Sequence, residues 1–167
     1  MSPPLRFDPI DEAGRQWRAR WPEAPVAAMM AVTSVMRAQQ ILLGRLNEAL
    51  GGFGLTFARY EVLMLLTFSK KGALPLGKIG ERLQVNAASV TNAVDRLEAQ
   101  GAVTRRSNPD DGRGTLAVLT TSGRSLAGEA TGRMNAEVFS DVGMAPGELR
   151  ALFEAMHTMR RAAGDFD

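Results

Sequence analysis

The stretch NPDDGRGTLAVLTTSG, Asn108 to Gly123, decides how the whole chain is read. Two adjacent carboxylates, Asp110 and Asp111, crowd Arg113 at a tip punctuated by Gly112 and Gly114. Either the carboxylates form an acid–base or metal site, or the segment is a hairpin that presents an arginine. Adjacent residues in a solvated turn are neither buried nor aimed at one substrate atom, so the pair is poorly suited to acid–base catalysis. Metal binding has no better support. Asn-Pro-Asp-Asp-Gly is turn chemistry. It separates two β-prone runs, AVTRR before it and TLAVL after it, with Leu116 and Val118 sharing a face of the second. Arg113 then stands just past the tip of a hairpin, and Asp111 can fix its guanidinium by a charge-assisted bond. An arginine so placed can enter a narrow minor groove, where the potential of DNA is most negative. Thr120 or Thr121 opens the next helix.

Upstream of the hairpin, VNAASVTNAVDRLEAQGAV reads as a helix. Asn86 is a good N-cap, and Gly101 supplies the C-terminal stop. Val90, Ala93, Val94 and Leu97 recur at helical spacing as one apolar stripe. That stripe fixes the opposite face, which carries Ala88, Asn92 and Asp95, with Thr91 and Arg96 on its shoulders and Ser89 near the start. Asn can bond adenine bidentately, and Ser or Thr can bond bases or phosphates, so this face suits a major groove. Asp95 would repel phosphate and is expected to pair with a neighbouring arginine. Just before this helix, LGKIGERLQV is a shorter one with Leu76, Ile79 and Leu83 on one face. Two helices in quick succession fit a helix-turn-helix. Helix, turn, helix, hairpin is the order of a winged helix.

Further out, LTFARYEVLMLLTF reads as a helix capped by Thr56 with Tyr60, Leu63, Met64 and Leu66 turned inward, and KKGALPLG as a basic loop. GGFG, Gly51 to Gly54, lacks the preceding strand and following Gly-Lys-Ser/Thr of a phosphate cradle and reads as a helix terminator. Before it, Met29, Val32, Met36, Gln39, Leu43, Leu46 and Leu50 form a seam along about 25 residues, a helix ~37 Å long. One small domain cannot easily cover that length, so a second subunit is expected on part of it. A matching element closes the chain. Leu126, Ala130, Met134 and Val138 step along one helix from Thr120 or Thr121 to about Val142. Pro146 starts another, with Leu149, Leu152, Phe153, Met156 and Met159 as its stripe. The first 24 residues form an extension with a short helix in DEAGRQWRARW.

Composition narrows the function further. The 167 residues suit one domain with extensions. No cysteine is present, which removes disulfides, thiolate catalysis, thiol redox sensing and cysteine-ligated zinc. A lone histidine, His157, leaves little for a Ser-His-Asp triad, and it reads as a helix residue. Nothing calls for a cofactor, and no convergent acid, base and nucleophile suggest an enzyme. No uninterrupted apolar run approaches the ~18 residues of a membrane span, and the N-terminus lacks a signal's apolar core. A cytoplasmic location with no membrane partner is the expectation. Net charge is only +2, yet residues 70–113 carry eight Lys and Arg against five Asp and Glu, a modest basic footprint.

These residues resemble the multiple-antibiotic-resistance regulator (MarR) family. Asp111-Gly-Arg113, then Leu119-Thr120 and Gly123, are similar to its D-x-R…L-T-x-x-G wing pattern. Thr91, Arg96-Leu97-Glu98, Gly101 and Arg105 resemble its recognition-helix and strand pattern. Leu55-Thr56 with Tyr60 and Leu63 is similar to the start of its second helix, and Ala145-Pro146-Gly-Glu148-Leu149 to the opening of its last. The likeness spans roughly Pro25 to Ala163. It implies a mainly α fold with a small β-hairpin wing: a winged helix-turn-helix over residues 55–120, flanked by dimerisation helices at 25–54 and 121–167. It implies a homodimer that binds double-stranded DNA, usually a repressor, released by a small, often aromatic effector. By position, Ser89, Thr91, Asn92 and Arg96 would meet the major groove and Arg113 the minor groove, with Asp111 orienting it. Ala87 and Ala88 depart from the polar or proline residues of many members, so readout here would lean on DNA shape. The Trp17 and Trp21 extension and Arg105 resemble a urate-sensing subgroup, but Glu61 and Ala93 replace its Asp and Arg. An alternative for such a fold is a protein–protein module without an operator.

Overall fold

The structure is a computed structural model that describes residues 5–109 and 111–167, without the side chains of residues 111–113. In chain order it contains α1 (Pro9–Arg20), α2 (Val26–Gly51), α3 (Phe57–Phe68), β1 (Ala73–Pro75), α4 (Leu76–Leu83), α5 (Ala87–Ala99), β2 (Val103–Asn108), β3 (Asp111–Leu119), α6 (Thr121–Met134) and α7 (Pro146–Ala162). The fold is the mainly helical winged helix expected from the sequence. Local chemistry accounts for the boundaries. Asn86 Oδ1 accepts from Ser89 N at 2.8 Å to cap α5. Gly101, at φ 74°, ends it in the left-handed region where glycine carries no Cβ penalty. Thr120 Oγ1 accepts from Gly123 N at 2.9 Å to start α6.

The antiparallel sheet has the order β1-β3-β2. Here the structure corrects one expectation. Ala73–Pro75 is a strand rather than part of a basic loop, pairing Ala73 with Val118 and Pro75 with Leu116. On β3, Leu116 and Val118 share a half-buried face, while Ala117 is fully buried and Leu119 packs against the core. A small residue there lets the sheet approach the helices closely.

One core runs through α3, α5 and α6 and takes in the end of α2. Leu50, Leu63, Leu66, Ile79, Leu97 and Met134 are fully buried, each such side chain contributing about 1.5–3 kcal/mol. The stripes read from the sequence hold: Val90, Val94 and Leu97 on α5, and Ala130, Met134 and Val138 on α6 and beyond, are buried. A π-helical turn, Asn135–Phe139, extends α6, a feature without a sequence expectation. Tyr60 Oη and Thr131 Oγ1, 3.0 Å apart, share a hydrogen bond that joins α3 to α6.

The ends differ from the middle. Only Val26, Ala49 and Leu50 are buried on α2, and α7 buries no residue at all. Val32, Met36, Ile41 and Leu43 on α2, and Leu149, Leu152, Phe153 and Met159 on α7, remain exposed. By length and composition α2 could cross a membrane. Arg37, Gln39 and Gln40 interrupt it midway. Helix α1 packs on α2 through Gly14, where an added Cβ would lie 2.6 Å from Met30 Sδ. Its tryptophans do not bury: Trp17 and Trp21 pack on one another at the surface, ring centroids 4.9 Å apart.

Candidate nucleic-acid interface

Burial of Val90, Val94 and Leu97 rotates α5 so that Ser89, Thr91, Asn92 and Arg96 all face solvent. The turn before it is tight. Val85 N donates to Gly80 O at 3.0 Å, and Gln84 takes φ 54°. An added Cβ on Gly80 would lie 3.1 Å from Val85 O, so glycine permits the close approach of α4 to the turn.

Three charged side chains tie α5 to the wing. Arg105 on β2 places Nη2 2.6 Å from Asp95 Oδ1 and Nη1 2.6 Å from Glu98 Oε2. Arg105 N also donates to Glu98 Oε1 at 2.9 Å. Burial disfavours the Arg105 charge, but the bonds to Glu98 and Asp95 outweigh it and hold the guanidinium above its ordinary value. Asp95 therefore pairs with an arginine, as expected, and its charge is answered before it can meet phosphate.

The start of α3 and the exposed face of α5 enclose an open groove of about 810 Å³. Thr56 and Arg59 line one wall; Asn86, Ser89, Asn92 and Arg96 line the other. Thr91 lies outside this lining and faces a smaller pocket between α4 and α5. Arg59 and Thr56 are the residues sequence reasoning missed. Their only signal was position: the first turn of a helix whose N-cap, Thr56, makes no capping bond and instead accepts from Arg59 Nε at 3.3 Å. Nearby Glu61 has its carboxyl pushed up by burial. The side chains of Asp111 and Arg113, the two wing positions singled out in the sequence, lie outside the described residues.

Known proteins share this architecture. The MarR family profile matches residues 55–115, from the start of α3 into the wing. The chain is 51% identical to Sco5413, a MarR family transcriptional regulator from Streptomyces coelicolor, over 85% of this chain and 99% of that one, with a TM-score of 0.79. It is 33% identical over 90 residues to the HTH-type transcriptional regulator MhqR of Bacillus subtilis (strain 168), covering 54% of this chain and 61% of MhqR. Sco3205 of Streptomyces coelicolor, a MarR family regulator whose structure is in complex with DNA, is 24% identical over 83% of this chain and 89% of that one, with a TM-score of 0.72, a likeness of fold. With its helix-turn-helix, three-stranded wing sheet and flanking helices, the chain belongs to the MarR family, whose members are transcriptional regulators rather than enzymes.

Proposed function

We propose that the chain works as a homodimer that binds a pseudo-palindromic operator in double-stranded DNA and represses the adjoining gene until a small aromatic effector releases it. The observation that carries the reading is the exposed polar face of α5, Ser89 to Arg96, set beside a groove that holds two arginines and no carboxylate. Ser89, Thr91, Asn92 and Arg96 would meet the major groove and Arg113 the adjacent minor groove, with Asp111 orienting Arg113. Residues 55–120 would form the DNA-binding region. Residues 25–54 and 121–167 would pair two copies, because the apolar faces of α2 and α7 have no cover within one chain. The effector rests on family membership alone; release of bound duplex by one of a panel of small aromatic acids supports it, and retention against all of them counts against it.

The residue assignments are tested by Asn92→Ala and Arg113→Ala on a duplex from upstream of the chain's own gene. Each substitution should cost about 1–3 kcal/mol of binding. Asn92→Ala should also relax sequence preference. Neither should move the melting temperature, since Asn92 is exposed and Arg113 lies at a wing tip. Affinities equal to the wild type for both variants would sink the assignment.

A further inference from the structure

We propose that Arg59, on the first turn of α3, binds a phosphate of the DNA strand bordering the major groove, making α3 a second anchor beside α5. The inference rests on the DNA-binding reading above. The groove between α3 and α5 has a volume of about 810 Å³, and its lining includes Arg59 and Arg96 and no acidic side chain. In a chain whose cations and carboxylates nearly balance, such a groove selects an anionic occupant.

Among the described residues no carboxylate lies within ion-pair distance of Arg59, whereas Arg105 and Lys78 are both paired. Arg59 is also held in place. Its Nε donates to Thr56 Oγ1 at 3.3 Å, which leaves Nη1 and Nη2 for the two-pronged contact that guanidinium makes with phosphate. The helix terminus itself contributes less, because Phe57 N already donates to Asn47 Oδ1 at 2.8 Å. With Ser89 and Asn92 facing bases from the opposite wall, the α3 wall faces the flanking backbone. A contact of this kind carries register but no sequence information.

The test is a salt titration of binding to two 30-base-pair duplexes, one from upstream of the gene and one of random sequence, using wild type, Arg59→Gln and Arg59→Lys. Each phosphate contact contributes about 0.9 to the slope of log affinity against log salt. Arg59→Gln should therefore lower the slope by about two for a dimer and weaken both duplexes by the same factor; Arg59→Lys should restore most of the slope. An unchanged slope in Arg59→Gln, or weakening of the upstream duplex alone, overturns the contact while leaving the DNA-binding reading intact. Wild type that retains neither duplex overturns both. Inorganic phosphate at matched ionic strength should compete no better than chloride. Preferential competition by phosphate that Arg59→Gln abolishes would assign a free-anion site and overturn the strand contact.

Discussion

An added Cβ at Gly123 would lie 2.0 Å from Ala102 O and 2.8 Å from its carbonyl carbon. Neither atom can step aside. Thr120 N donates to that same oxygen at 3.1 Å, and the Thr120 and Ser122 hydroxyls donate to Gly101 O at 2.8 and 2.9 Å. The Leu-Thr-Thr-Ser-Gly end of the wing thus fastens α6 to the turn after α5. Alanine gains about 1 kcal/mol over glycine in a helix, but overpacking against fixed backbone costs about 1–3 kcal/mol or more, and a 2.0 Å approach belongs at the top of that range. Gly123→Ala is expected to lower the melting temperature by several degrees in calorimetry; an equal or higher value would contradict this packing. The sequence marked Thr120 or Thr121 as the helix start because capping is local. It could not show that Gly123 faces Ala102, a contact made across the whole hairpin.

At the scale of elements, Arg105 decides how α5 sits against the wing. Charge-assisted bonds contribute about 1.5–3 kcal/mol when buried, but the Arg105 and Asp95 side chains are 25% and 56% exposed, so water screens much of that. A double-mutant cycle with Arg105→Gln and Asp95→Asn should give a coupling of about 1 kcal/mol in thermal or chemical unfolding. Purely additive effects would mean that the pair does not hold the helix. Helices were legible because their apolar periodicity is local: α4 and α5 begin and end close to where caps and stripes place them, and α6 begins at its Thr120 cap, although it ends at Met134 and the π-helical turn at Phe139, short of Val142. The sheet was less so. β1 spans three residues, includes a proline, and is defined by pairing with residues 116–118, more than forty positions downstream. That Ala117, rather than the bulkier Leu116 or Val118, is the fully buried residue of β3 was not legible, because burial there is set by the helices on which the sheet packs.

At the scale of the molecule, the middle of the chain completes its own core and the ends do not. Phe153 on α7 is 66% exposed, amid a stripe that buries nothing. The long apolar seam of α2 was legible as more surface than one domain covers, and the structure leaves that surface open. The candidate site was legible on α5, where burial of one stripe dictates what the other face presents. Arg59 was not, because its neighbours Ser89 and Asn92 stand some thirty residues away and only the fold brings α3 beside them. Two wings and two recognition helices, related by the symmetry of a dimer, would read half-sites about one helical turn, or about 34–36 Å, apart. Footprinting the DNA upstream of the chain's own gene tests this most directly. The account predicts one protected segment with two-fold-related halves at that spacing, lost as salt rises. Protection of a single half-site, or none in excess over competitor DNA, would contradict it.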